Sequence, residues 1–423
     1  MREFLSDHSA VFPVTTYEYY GRSFRGKTCG NSVERPQVIP RKDLTCNLRK
    51  GQHLTKVPAM QNVVTPGSVF LYPLSSRYCS CVPISLIPYS SLCYTRLMQL
   101  ICAPIATLTH AGFRTLVERF GGCDEHYTEM INAGSFVTGG PFEKYYVIPG
   151  PAPEKVVWQL TGKDAHFMAA AAEMLSQLPG AGIDLNMGCS APEIVRSGAG
   201  AAWMMKPAEE TRGMVRAVKK AAGDRRLSVK LRLGGEDYTD EGFFSFTDML
   251  VDEGVTRLAL HARTAKEKYR LPPRWEYVEK LALRYEGRGV EVVLNGNVKD
   301  AESLAAAVKA APHASGIMIA RGAAEYPWIF AQLRSSLEGA RRTITIDREQ
   351  TALDFIGLVQ QYQPEEFWKT RLQRFFAYYC LGFSFAHYFQ TQMLNAKDCD
   401  DARARVQDYF TRESGDRIKT ITA

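Results

Sequence analysis

The chain has 423 residues, 45% of them hydrophobic and 23% charged, with a formal net charge of +7. That composition excludes global disorder and is ample for a large core. A compact unit runs to roughly 100–200 residues and a barrel to about 250, so one barrel plus additional segments is expected. The densest apolar stretch, Val82 to Cys102, is interrupted by Pro83, Pro88, Arg96 and several serines, which is too broken to span a membrane.

Residues 1–97 carry 12 Lys and Arg against 5 Asp and Glu, and the rest of the chain carries 40 of each sign. The whole positive excess therefore lies in the first segment, and net charge alone makes no case for a nucleic-acid partner of the remainder. Ten cysteines stand at positions 29, 46, 79, 81, 93, 102, 123, 189, 380 and 399. They form no CxxC pair and no His spacing of the zinc type, so no metal is expected. A reducing, cytoplasmic setting with mostly buried thiols is the simplest reading.

Residues 1–97 mix Pro, Ser, Tyr and short basic runs such as RPQVIPRK without a sustained period of 3.6 or 2. They have no signal-peptide pattern. The segment is expected to be a disordered extension, or upstream sequence preceding a start at Met98.

From Met98 short apolar runs alternate with helical patterns, as in a parallel α/β fold. Eight strands are predicted: LICA (100–103), EHYTEM (125–130), VVWQL (156–160), GIDLN (182–186), SVKLRL (228–233), RLALHA (257–262), EVVLNG (291–296) and GIMIA (316–320). Between them lie good helix formers such as AHFMAAAAEMLSQL and AESLAAAVKAA. Eight βα units make a (β/α)8 TIM barrel over residues 98–330. After Phe330 the strand signal stops, and residues 331–423 read as a helical domain. Its aromatic segment FWKTRLQRFFAYYCLGFSFAHYF reads as core packing in preference to a base-stacking platform.

In such a barrel the chemistry sits at the C-terminal strand ends. Those ends carry Gln159, Asn186 followed by Cys189, then Lys230 with Arg232, His261 with Arg263 and Thr264, Asn295 with Gly296, and Arg321 with Gly322. Lys230 and Arg232 alternate with Val229, Leu231 and Leu233, so both cations face the same way. A buried pair of like charges is costly without an anion. The set fits a flavin mononucleotide site: Gln159 and Lys230 near the ring, His261 and Arg321 near the phosphate, Asn295 and Gly296 lining the loop between. Cys189 lies in a loop at the barrel mouth, between Gly188 and Ser190, where a thiol is a chemical candidate.

The segment LNMGCSAPEIVRSGAGAAWM resembles the signature of the tRNA-dihydrouridine synthases, and CAPIATLTHAGFR, YTEMI, VVWQLTG, VKLRL, LHARTAKEKYR, LNGN and IARGAAEYPWIF continue the family's order of motifs. The resemblance covers residues 98–330. It implies that FMN is lined by Pro104, Ile105, Ala106, Gln159, Lys230, His261, Asn295, Gly296, Asn297, Ala320 and Arg321. It further implies that NADPH reduces the flavin, that Cys189 is the catalytic acid, and that Asn186 and Arg232 hold the flipped-out uracil. The C-terminal helices would grip tRNA, and residues 1–97 could serve as a basic arm on it. A monomer is expected. The start at Met98, the GCS loop and HARTAKEKYR look most similar to the bacterial subgroup acting on position sixteen of the D-loop.

Four positions depart from the family pattern: Ser190 stands for the usual Pro, Asn297 for Asp, Ala320 for Gly, and THAGFR for a TD-type opening. Ser190 removes the restraint that proline places on itself and on its predecessor. Two rival readings stand beside the synthase: a barrel flavoenzyme acting on a free small molecule, and a tRNA-binding protein without activity. The helical region after Phe330 speaks against the first.

Overall fold

A computed structural model describes residues 98–422 apart from 236–237 and 268–269, so the expectation for residues 1–97 lies outside the described residues. All eight predicted strands are present: β1 (Gln99–Cys102), β2 (Glu125–Tyr127), β4 (Val156–Thr161), β5 (Gly182–Met187), β6 (Leu227–Arg232), β7 (Arg257–His261), β8 (Glu291–Asn295) and β9 (Gly316–Ile319). A two-residue β3 (Ile131–Asn132), not foreseen, adds to the end of β4. From β4 to β9 each strand pairs in parallel with the next, β1 pairs with β9, and β2 pairs with both β1 and β4, which closes the ring.

The two-residue period of the strands sorts side chains between two cores. Val229 and Leu231 of β6 join Ile183, Leu185 and Met187 of β5 beneath the surrounding helices. Their alternates Ser228, Lys230, Arg232, Asp184 and Asn186 turn into the barrel. The interior is layered. At the N-terminal end Arg257 donates to Glu125 at 2.5 Å and to Gln99 at 2.6 Å, and Arg226 makes a bidentate pair with Glu125 at 2.7 Å. Above this ionic plug lies an apolar layer of Ile101, Tyr127, Val157, Ala259, Val293 and Met318. Polar groups take over again at the mouth.

The helices between strands start where the sequence supplies caps. The Asp164 side chain accepts from the N–H groups of His166 and Phe167 to begin helix Ala165–Ser176, and Asp300 with Ser303 forms a reciprocal box at helix Ala301–Ala310.

Beyond Phe330 the helices Arg348–Tyr362, Glu365–Tyr379, Ala386–Leu394 and Cys399–Arg412 dominate, as expected. The expectation that strands end at Phe330 is corrected: Thr343–Asp347 and Ile418–Thr422 pair as antiparallel β10 and β11. Each is a short alternating segment whose partner lies some seventy residues away, so neither periodicity nor a hairpin turn announces the pair. The aromatics form the core: Phe355 stacks on Phe375 with centroids 3.8 Å apart, and Phe389 on Tyr409 at 4.1 Å. The same core reaches the barrel, where Phe375 meets Phe113 edge-on at 6.4 Å and Phe355 meets His110 at 5.8 Å.

Candidate active site

Cys189 sits two residues beyond Met187, the end of β5, half-buried at the barrel mouth. Three partners fix the loop around it. The Asn186 Oδ1 accepts from the N–H of Cys189 at 2.9 Å and from that of Gly188 at 3.2 Å. The Cys189 carbonyl accepts from Ala201 N–H at 2.9 Å. The Gly188 carbonyl accepts from Arg232 Nε at 2.7 Å. Gly200 beside it has φ of 61°, and a Cβ there would lie 2.6 Å from the Cys189 carbonyl oxygen. Only glycine meets both demands. The loop is thus restrained by partners on three sides, which answers the loss of proline at Ser190.

A single chain of hydrogen bonds runs from this loop into the barrel. Asn186 Oδ1 is occupied by two N–H donors, so its amide donates from Nδ2 to Gln159 Oε1 at 2.9 Å. Gln159 in turn donates from Nε2 to Asp184 Oδ2 at 2.7 Å, and Ser228 donates to Asp184 Oδ1 at 2.7 Å. The acceptor-only carboxylate at the far end fixes the orientation of both amides. Asp184 and Ser228 were not singled out in the sequence. Their signal was positional, since Asp184 lies two residues before Asn186 and Ser228 two before Lys230, each on the same face.

Lys230 stands next to Asn186 in the β5–β6 register, with its ammonium inside the barrel. Burial holds it down to about 8, Arg232 adding to the fall and Asp184 opposing it. Burial lifts Asp184 to about 6 against the hydrogen bonds from Gln159 and Ser228. Burial raises the Cys189 thiol above the ordinary cysteine range; the Ala191 N–H opposes this, Glu193 adds to it, and Arg232 and Lys230 oppose it. The thiol therefore keeps its proton at neutral pH.

On the neighbouring strand β7, His261 pairs in register with Arg232 and with Asn295. Its pKa is pushed down to about 2 by burial, then by Lys230, Arg232, Arg263 and Arg321. Arg263 lies 2.7 Å from His261 Nε2, which makes that nitrogen the acceptor of a neutral ring. Gly296 allows the approach of the ring, since a Cβ there would be 2.9 Å from His261 Cδ2. Asn297 adopts φ of 61° and accepts from Arg263 at 3.2 Å. Asparagine tolerates this left-handed backbone, and the amide oxygen supplies the acceptor that the family's Asp would. Asn295 donates to the Met318 carbonyl at 2.8 Å.

Ala320 follows β9, and Arg321 opens the next helical turn. Pro104, Ile105 and Ala106 follow β1, and Ala103 between them donates its N–H to the Ile319 carbonyl. All the residues singled out at strand ends therefore surround one mouth. Asn186 and Arg232, expected to hold the uracil, also brace the Cys189 loop, Arg232 further reaching the Thr264 carbonyl at 3.3 Å. A cavity of about 450 Å³ lined by Arg226, Thr256, Glu291 and His313 lies at the opposite end, away from this chemistry. Among the described residues one group has metal-type donors, Glu118, Cys123 and His126, within 4.8 Å of one another. Lys155 already bonds both Glu118 oxygens, at 3.1 and 2.9 Å, and supplies the counter-charge.

Residues 101–413 match the family model described as dihydrouridine synthase (Dus). The chain belongs to the dihydrouridine synthase family. It is 26% identical over 323 residues to a "Probable tRNA-dihydrouridine synthase" of Aquifex aeolicus, covering 74% of this chain and 97% of that one. A protein of the same description from Rhodobacter capsulatus is 31% identical over 56% of this chain and 72% of its own length. The "tRNA-dihydrouridine(20/20a) synthase" of Xanthomonas campestris is 29% identical over 64% of this chain and 78% of its own. As a dihydrouridine synthase it is a flavin-dependent enzyme. The donor set at the mouth fits that cofactor: Lys230, Arg232, Arg263 and Arg321 all act on His261, a concentration of positive charge matched to an anionic phosphate and ring. Among the described residues no helix is long and apolar enough to cross a membrane.

Proposed function

We propose that this synthase reduces uridine in the D-loop of tRNA to 5,6-dihydrouridine, with FMN at the barrel mouth, NADPH as electron donor and Cys189 as the proton donor. The observation that carries the reading is the Asn186-anchored loop, which presents a protonated thiol beside Lys230 and Gln159. Bound FMN supplies the hydride that goes to C6 of the uracil. Cys189 gives its proton to C5 and recovers one from solvent. An unperturbed carboxyl, ionised above about pH 4, could not donate at neutral pH, whereas this thiol can.

Lys230 fits the electron-rich edge of the flavin ring, with Gln159 beside it. His261 and Arg321 fit the phosphate, with Pro104, Ile105, Ala106, Asn295, Gly296, Asn297 and Ala320 forming the walls. Uracil stacked within folded tRNA must be extruded to reach Cys189. The helical region 331–423 is the candidate grip on the RNA, and the cytoplasm is where such a substrate is met. Position sixteen is the proposed target, from HARTAKEKYR and the GCS loop.

Purified enzyme with FMN and NADPH should convert a tRNA transcript and leave free uridine untouched. Equal turnover of both would remove the tRNA assignment in favour of a small-molecule reductase. Colourless protein, with unchanged dihydrouridine in cells carrying Cys189→Ala, would favour an inactive RNA binder. Dihydrouridine mapping in a deletion strain reads the position: loss at position twenty instead of sixteen corrects the site while leaving the activity in place.

A further inference from the structure

The loop Pro104–Thr107 that faces the proposed flavin contains one of two non-glycine residues with positive φ among the described residues, Thr107 at 63°. A β-branched residue in this region is unusual and persists only where its surroundings hold it. Two of the groups that hold it trace to the helical region. Thr107 Oγ1 accepts from Arg374 Nε at 2.9 Å. The Thr107 backbone N–H lies against the carboxylate of Glu129 and favours its charged form, and that carboxylate is paired with Arg371 at 2.9 Å, the two side chains only 3% and 4% exposed. Arg371 is itself fixed by Gln363 Oε1 at 3.1 Å and by the Phe367 ring beneath its guanidinium at 4.9 Å.

Arg371 and Arg374 stand three residues apart on helix Glu365–Tyr379, hence on one face. At the far end of the loop Arg114 donates to the Thr109 carbonyl at 2.6 Å and Thr109 Oγ1 accepts from Ile105 N–H at 3.1 Å.

We propose that helix Glu365–Tyr379 is a positioning element for the flavin, its Arg374 and the Arg371–Glu129 pair clamping Thr107 so that the loop keeps the shape the cofactor packs against. This rests on the assignment of the flavin to the barrel mouth. The region proposed to grip RNA therefore also sets the cofactor site. Arg371 is buried with its partner, whereas Arg374 is exposed.

The exposed member makes the test clean. FMN affinity is read by flavin fluorescence on protein stripped and refilled, alongside the melting temperature. Arg374→Ala and Thr107→Val should each weaken FMN about tenfold, the scale of one charge-assisted hydrogen bond, with little change in melting. Thr107→Gly, which adopts positive φ without a clamp, should bind FMN nearly as the parent does. Arg374→Lys should recover part of the loss. Parent-like affinity in both Arg374→Ala and Thr107→Val overturns the clamp, as does a loss in Thr107→Gly equal to that in Thr107→Val. Failure of the parent protein to bind FMN at all would instead remove the flavin assignment beneath it.

Discussion

Asn186 Oδ1 accepts the backbone N–H of Cys189 at 2.9 Å, so a residue near the end of β5 also shapes the loop that follows it. One amide links the thiol loop to Gln159 and, through it, to Asp184. Replacing Asn186 with Ala leaves the Cys189 N–H and Gln159 Oε1 without this partner. The expected result is folded enzyme whose tRNA reduction falls at least about tenfold, since misplacing a donor by roughly 1 Å can cost more than that. Single-turnover rates with reduced flavin, set beside melting curves, separate this from instability.

Cys189→Ala should retain flavin and its reduction by NADPH, and lose about 10²- to 10³-fold in the step with tRNA. Because burial raises the thiol, its proton-donating form persists above the ordinary cysteine range. The tRNA step should hold level through about pH 8.5, close to where an unperturbed thiol is half ionised, and alkylation by iodoacetamide near neutral pH should lag behind that of free cysteine. Rapid alkylation at pH 7 would contradict the environment described.

Lys230 is charged below about 8 and neutral above. A flavin held by that charge binds tightest on the acid side, and its Kd should rise as the pH climbs through about 8. Lys230→Met should weaken FMN roughly 10- to 100-fold at pH 7, the range for one hydrogen bond to a charged group, and flatten the pH dependence. Titration of flavin fluorescence at several pH values reads both effects.

Gly200→Ala forces a Cβ to within 2.6 Å of the Cys189 carbonyl and 2.8 Å of Ile194 Cγ2, at a backbone angle that costs a side chain about 1–2 kcal/mol. The loop must shift, so tRNA reduction should drop while FMN affinity stays near that of the parent. Equal losses in both would place the damage elsewhere.

In the helical region Asp416 accepts from Tyr409 at 2.5 Å, from Ser384 N–H and Oγ at 2.9 Å, and from Arg348 at 3.1 Å. Burial pushes its carboxyl upward, but the bonds from Tyr409, Ser384 and Arg348 prevail and hold it below the usual range. A carboxylate depressed by folding adds stability above its unfolded pKa of about 3.9, and that stability is lost as the pH falls through the folded value. Urea melts should show Asp416→Ala destabilised by about 3 kcal/mol at pH 7, because Arg348 is left buried without this partner, and by much less near pH 3.

The strands were legible because a barrel repeats one local rule: apolar alternates face the helices, and each strand is bounded by turns and capped helices. The eight runs from LICA to GIMIA and the caps at Asp164 and Asp300 are local features. The site residues were legible for the same reason, since a strand's C-terminal end is a position along the chain. The antiparallel pair of Thr343–Asp347 with Ile418–Thr422 was not, because its pairing is remote.

The sequence by itself determined the barrel, the helical region after it, and the cluster of Gln159, Lys230, His261 and Arg321 with Cys189 at one mouth. Tertiary structure alone decided what those side chains spend their bonds on. Arg232 and Asn186 serve the Cys189 loop, Asp184 orients two amides, and Arg371 and Arg374 reach back some 240 and 270 residues to Glu129 and Thr107. Alternation along a strand tells which way a side chain points. Which of several polar groups it finds there depends on register between strands and on the docking of helices distant in the chain, and no local pattern carries that information.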